Sequence, residues 1–306
     1  MTDTATTTTS ARQSHRTGQT SLFVQAVRLV CGRSSPDQLI ERAQDEALLK
    51  RDGNHAWLND PSLIALQHFA AKHVGRKQRH NGGVLELTHY VEVADQVANT
   101  CALKTIPIDV RCFIAYGHDL VEELGEKHPH ITPNHIVEQC WKGDPEHARF
   151  VVDRLTAITD TPTLHKQERM DEQLARAKAD PTGITAYTRY YDKLCTYARD
   201  VHAFEQYAHK GQPLPKWFRV TGNTEKYKDK LDRREALIRQ LPISEAHKML
   251  FITLGQSLRQ HLAPHLEQHP PSAPATGVDS AYSPGRRAFV HTVAMLPFIR
   301  FVRPSL

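Results

Sequence analysis

Between residues 61 and 204 the apolar positions recur every three or four residues and period-two alternation is almost absent, so the chain reads as all-α. The expected helix starts carry uniform punctuation. A short polar residue stands before proline at Ser35-Pro36, Asp60-Pro61, Thr132-Pro133, Asp144-Pro145 and Asp180-Pro181. The polar side chain satisfies one of the unpartnered N–H groups of a first turn. Proline at the first helical position loses nothing, because its missing donor had no partner there.

Four helices are expected to carry the core. The first runs from about Pro61 to Gly75, with Ile64, Leu66, Phe69 and Ala70 on its apolar stripe. The second runs from about Leu87 to Ala102, with Val93, Ala94, Val97, Ala98 and Cys101 on the stripe. His89 lies four residues before Val93, at the edge of that buried face. The third starts at Pro107, reads IDVRCFIAYGHDLVEEL and ends at Gly125. Most of it is apolar all round, the pattern of a helix at the centre of a bundle. The fourth, about Pro181 to Phe204, lines up Ile184, Tyr187, Tyr191, Leu194, Cys195 and Ala198, with Asp192 on the flank.

After about residue 210 the pattern changes. Residues 225–240, EKYKDKLDRREALIRQ, are dense in mixed charge and predict a solvated helix. Residues 244–266 predict an amphipathic helix with Leu250, Leu254, Leu258 and Leu262 on one face. Its neighbour is either the bundle or a second subunit, which leaves a homo-oligomer open. The expected organisation is a disordered polar tail over 1–18, a main helical domain over 19–210, a helical extension over 211–267, and a linker and tail over 268–306.

Composition narrows the function classes. The chain has 306 residues, 40% apolar and 24% charged, enough to bury a sizeable core. Its net charge of +5 is spread among intermixed acids and bases, whereas a nucleic-acid binder gathers positive charge on one face. The excess suits a phosphate-bearing small molecule better than a nucleic-acid polymer. Five scattered cysteines without a CxxC pair fit a reducing compartment. The first twenty residues hold no apolar segment of a secretory signal, and no later run reaches the roughly 18 apolar residues of a membrane span. A cytoplasmic protein with no membrane partner is the expectation.

The central helix poses a chemical problem. His118, Asp119, Glu122 and Glu123 follow directly on an apolar run, where ionised carboxylates are costly unless paired or bound to a cation. Helical spacing puts these side chains on one rim. A divalent ion gripped by His118 and Asp119 would relieve the charge and leave Glu122 or Glu123 to position or deprotonate a water. Taken singly, the residues have plainer readings. His89 alone suits a core-edge histidine, Asp192 a helix-surface acid paired with Lys193 or Arg189, and the two glutamates a solvated last turn.

Taken together, His89 in LTHYVEVADQV, His118-Asp119 in IAYGHDLVEEL and Asp192 in YYDKL resemble the H…HD…D pattern of HD-domain phosphohydrolases. AAKHVGRKQRHNGG before His89, HDLVEEL and FVVDRLTAITD are similar to segments of the RelA/SpoT-type alarmone hydrolases and their small stand-alone relatives. The resemblance spans about residues 63–204 and implies an HD-type hydrolase domain over 19–210. It implies His89, His118, Asp119 and Asp192 as ligands of one Mn²⁺-like ion, and Glu122 and Glu123 as the water-activating pair. Arg79, Lys77 and Thr196 would stand at the nucleotide. The implied reaction is hydrolysis of the 3′-pyrophosphate of (p)ppGpp or a similar nucleotide.

The chain departs from that family in several places. Glu123 stands where the family has Asp, Tyr90 follows the first ligand where it has Pro, and Thr196 replaces an asparagine. One extra residue separates Arg79 from His89. These changes spare the metal ligands and bear on the substrate. Another HD-type nucleotidase or phosphodiesterase, or a non-catalytic nucleotide-sensing module, are the alternatives.

Overall fold

The computed structural model of the protein describes residues 35–48, 55–79, 84–125, 128–160, 164–209 and 224–268; the expectations for 1–18 and 269–306 lie outside them. The described helices are α1 (Pro36–Leu48), α2 (Pro61–Val74), α3 (Glu86–Ala98), α4 (Ile108–Gly117), α5 (Leu120–Gly125), α6 (Pro133–Cys140), α7 (Pro145–Ile158), α8 (Lys166–Ala179), α9 (Ile184–His209), α10 (Thr224–Gln240) and α11 (Glu245–Gln268). Short 3₁₀ turns cover Ala56–Asn59 and Cys101–Leu103. Among the described residues the only β feature is an isolated antiparallel bridge between Gln78 and Leu85, so the fold is all-α as expected. No described helix is long and apolar enough to cross a membrane.

Four of the five polar-proline pairs open helices. The Asp60 carboxylate accepts from the N–H groups of Ser62 and Leu63 at 2.8 and 3.2 Å, Thr132 Oγ1 from His135, and Asp144 from Glu146. Ser35 and Gln38 exchange reciprocal side-chain-to-backbone bonds at the start of α1. The fifth pair behaves differently. After Asp180-Pro181 the chain makes a turn through Gly183, at φ +75°, and α9 begins only at Ile184. Asp180 Oδ1 accepts from the Thr182 N–H at 3.0 Å and Oδ2 from the Thr185 N–H at 2.9 Å. The carboxylate therefore stabilises a turn first and the helix start second.

Packing centres on α4, where Val110, Cys112, Phe113, Ile114, Ala115 and Tyr116 are all buried. Each large apolar side chain fully buried there contributes about 1.5–3 kcal/mol, so packing holds α4 although no side chain caps its first turn. The helices α3, α2 and α7 lie against it, and α9 crosses α3. Arg111, itself buried, donates to the carbonyls of Ala98 and Leu103, both at 2.8 Å. Those bonds satisfy carbonyls where α3 ends, at Ala98 rather than near Ala102, and Cys101 is exposed beyond the end.

Three further details differ from the sequence expectation. The helix expected to run unbroken from Pro107 to Gly125 is interrupted at His118-Asp119. Ile64 and Ala198 face outward, while Leu63 and Tyr190 are buried instead. The charged 225–240 segment is not solvated all round: Tyr227, Leu231, Leu237 and Ile238 of α10 are buried, and Tyr227 donates to Asp200 of α9 at 2.5 Å. The charges occupy only the other face. Next to it, α11 packs on α9 and α10 through Phe251, Leu254 and Leu258, so the bundle supplies its neighbour.

Asp180 also binds Arg154 at 3.1 Å. Burial would raise its carboxyl, but the Thr182 hydroxyl and the Thr185 N–H hold it below the usual 3.8. A depressed folded-state pKa gives stability that is present above about pH 4 and lost as pH falls through the folded value. Asp180→Ala should therefore cost about 2 kcal/mol at neutral pH. Urea unfolding should show the deficit shrinking as the pH is taken below 4; a deficit independent of pH would contradict this account.

Candidate metal centre

The four expected ligands meet. His89 comes from the first turns of α3, His118 and Asp119 from the α4–α5 break, and Asp192 from the middle of α9. One ligand atom from each lies within 4.8 Å of all the others. His89 Nε2 is 3.2 Å from Asp192 Oδ1 and 3.8 Å from Asp119 Oδ2. His118 Nε2 is 3.1 Å from Asp119 Oδ2 and 3.9 Å from Asp192 Oδ1. Both imidazoles and Asp192 are buried; Asp119, with 20% of its side chain exposed, marks the open side.

The interruption of the helix is part of this geometry. His118 Nδ1 donates to the carbonyl of Ala115 at 2.7 Å, a carbonyl that the Asp119 N–H would take in a continuous helix. A carbonyl only accepts, so Nδ1 carries the proton and, in the neutral ring, Nε2 presents its lone pair to the two carboxylates. Nε2 is buried without a hydrogen-bond partner among the described residues. Gly117 lets the break pack closely, since a Cβ there would stand 3.0 Å from Leu155 Cδ2.

Lone pairs converging on one buried point need a proton or a cation between them. Burial, then the nearby Arg79 charge, lowers His89 to about 3 against the opposing pull of Asp192, so its ring is neutral at physiological pH. For His118 burial works downward, but the Asp119 and Asp192 carboxylates outweigh it and raise the ring above its ordinary 6.5. Asp192 is held well below the carboxylate range despite burial, by Lys193 and by both histidines. Two imidazole nitrogens and two carboxylate oxygens form a donor set that fits a divalent ion, so this buried group can hold a metal.

The other expected residues surround the ligands without joining them. The extended pairing of 77–79 with 84–86 presents Lys77 and Arg79. Lys77 is ion-paired with Glu123. Arg79 Nη1 binds Glu86 at 2.6 Å, and Nη2 is 3.5 Å from Thr196 Oγ1. Thr196 in turn donates to the backbone carbonyl of Asp192 at 2.9 Å. Glu122 turns toward Asp160, whose N–H donates to Oε1 at 2.6 Å. Burial, then the charges of Asp119 and Asp160, raises Glu122 to about 7.

The sequence reading gave Lys193 and Arg189 only as partners of a surface Asp192. Lys193 Nζ does bind Asp192 Oδ2 at 2.5 Å, at a buried acid rather than an exposed one, leaving Oδ1 for the imidazoles. Around Glu122, Arg189 binds Asp160 at 2.7 Å and Gln173 also donates to Asp160. No sequence spacing announces that network, because its members come from α8, α9 and the residue pair after α7. Comparison with protein-family models, with curated proteins and with solved structures finds no match to this chain.

An ion that binds only the folded chain stabilises it, by about 2.7 kcal/mol at a free concentration a hundredfold above Kd. Mn²⁺ should accordingly raise the unfolding midpoint of metal-stripped protein, and Asp119→Asn should lose most of that gain. A midpoint indifferent to both Mn²⁺ and EDTA would remove the case for a metal here.

Proposed function

We propose that the chain is a metal-dependent phosphohydrolase of the HD type, working with Mn²⁺ on the 3′-pyrophosphate of (p)ppGpp or a closely related nucleotide. One observation carries the reading: residues singled out by order and setting alone, His89, His118, Asp119 and Asp192, have ligand atoms converging within 4.8 Å on one partly open point. A divalent ion bound there would supply charge to polarise a phosphate oxygen and would lower the pKa of a water.

The chain's own groups have distinct tasks in this reading. His118, fixed by Ala115, and Lys193, fixed on Asp192, orient the ligand oxygens. Arg79 spends one donor on Glu86 and keeps others for phosphate, which a guanidinium with five N–H groups allows. Lys77 reaches the nucleotide from the same segment by exchanging Glu123 for phosphate. Glu122 takes the proton of the attacking water. Water oxygen bonds to phosphorus, the bond from phosphorus to the 3′ oxygen breaks, and that oxygen is protonated. ppGpp and water thus give GDP and pyrophosphate.

A second reading keeps the chemistry and changes the nucleotide. Thr196, at the position expected to touch the substrate, is bonded inward to Asp192 and Arg79. With that hydroxyl engaged, a contact from Thr196 to the guanosine is not required, and an HD-type nucleotidase or phosphodiesterase acting on another phosphorylated nucleotide keeps every other role.

The deciding experiment is product analysis after incubation with ppGpp in Mn²⁺ or EDTA. GDP and pyrophosphate formed only with metal are expected. No product from folded, metal-loaded protein would reject the alarmone reading, and turnover of another nucleotide in the same assay would establish the second. Asp192→Asn should abolish metal-dependent turnover while leaving the helical circular dichroism intact; parental turnover would refute the ligand assignment. A base must be ionised, so kcat should rise with pH through the Glu122 carboxyl. A cation offsets the Asp119 charge that helps raise this group, placing the midpoint at or below about 7. Glu122→Gln should erase that limb and lower kcat about 10²–10⁴-fold.

A further inference from the structure

A second gathering of imidazoles uses none of these residues. His73 lies in the last turn of α2, His128 and His130 in the segment after α5, and His135 in the first turn of α6. Their rings form a closed circuit with Phe69. Centroids are 5.8 Å apart for His73 and His128, 5.9 Å for His128 and His130, and 5.5 Å for His130 and His135. Phe69 closes the circuit at 6.1 Å from His135 and 4.5 Å from His73. The ligand pair His89 and His118 has its centroids 5.3 Å apart, so neighbouring rings of the circuit stand nearly as close as two rings placed for one ion.

The circuit sits on a built scaffold. The His128 N–H donates to Leu124 O at 2.7 Å, its carbonyl accepts from Ile131 at 2.8 Å, and Thr132 Oγ1 accepts from the His135 N–H at 3.2 Å. Ile131 and Ile136 anchor the segment in the core. The imidazoles themselves are half-buried or exposed, and among the described residues no hydrogen bond or acidic partner engages their ring nitrogens. Four basic rings without a counter-charge repel one another when protonated. Burial, then Lys72 and the other three histidines, lowers His73, which favours the neutral ring that ligates metal.

We propose that His73, His128, His130 and His135 form a second metal site, selective for an imidazole-preferring divalent ion such as Zn²⁺ or Ni²⁺. The donors are all nitrogen, without the carboxylate oxygens that suit Mn²⁺ or Mg²⁺. Only neighbouring rings of the circuit are close, and their nitrogens do not converge as those of the buried centre do, so the rings close on the ion by turning about χ1 and χ2. An ion held there ties the end of α2 to the start of α6.

The test uses tag-free, metal-stripped full-length protein and counts bound Zn²⁺ and Ni²⁺ by equilibrium dialysis. Replacing His118 and Asp119 together by alanine disables the buried centre and should leave one equivalent bound. In the otherwise parental chain, His73→Ala with His130→Ala should lower the bound count by one equivalent while parental Mn²⁺ stabilisation persists, which shows the variant folded. In the His118→Ala, Asp119→Ala protein, Co²⁺ should develop the visible d–d bands of nitrogen ligation, lost on adding His73→Ala and His130→Ala. No bound equivalent in the His118→Ala, Asp119→Ala protein, or unchanged binding after His73→Ala and His130→Ala, would overturn the proposal. If the parent binds a single equivalent that survives loss of His118 and Asp119, the second site stands and the buried centre fails.

Discussion

The bond from His118 Nδ1 to the Ala115 carbonyl sets the rest of the arrangement. It removes a carbonyl from the helical ladder at the end of the central helix α4, and there α4 gives way to α5. The same bond decides which ring nitrogen carries the proton and turns the other toward Asp119 and Asp192. The break also delivers the following acids to different places: Asp119 to the imidazoles, Glu122 to Asp160, and Glu123 to Lys77.

A centre of this kind constrains its surroundings, because desolvating a charge costs several kcal/mol unless partners replace the water. The fold answers with a nested set of pairings. Lys193 holds the outer oxygen of Asp192, Glu86 holds Arg79, and Arg199 binds Glu92 across α9 and α3 at 2.6 Å. Of these pairs Arg199–Glu92 joins the two helices directly, so the contact between α3 and α9 that brings His89 to Asp192 is held by packing and by charge together. The extension contributes to that crossing through α9. Tyr227 of α10 binds Asp200, and Phe251 of α11 lies with its ring 4.5 Å from that of Tyr197.

Much of this was legible in the sequence, for reasons that differ by residue. Caps at Asp60, Thr132 and Asp144 could be read because their partners lie two or three residues away. Asp180 misled because the same local chemistry serves a turn, and only Gly183 at positive φ separates the two outcomes. The ligand set was legible because its order and settings resemble a known pattern. The helix break was not, since it depends on a side chain competing with the backbone for one carbonyl. Nor was the buried face of α10, where contact with α11 and α8 and the bonds to Tyr197 and Asp200 of α9 select four apolar residues from a stretch that looks charged throughout.

Donor chemistry explains why one histidine-rich chain would keep two kinds of imidazole site apart. At the buried centre each ring faces carboxylates, so an ion there would meet oxygen donors and negative charge as well as nitrogen. In the Phe69 circuit the rings face one another and Phe69 near the surface, with no carboxylate among the described residues to meet a hard ion. The Ala115 bond, the Lys193 pair and burial fix the first set in place; in the second the described hydrogen bonds are made by the backbone and not by the rings. Rigidity and carboxylates therefore go together in one place, adaptability and nitrogen donors in the other.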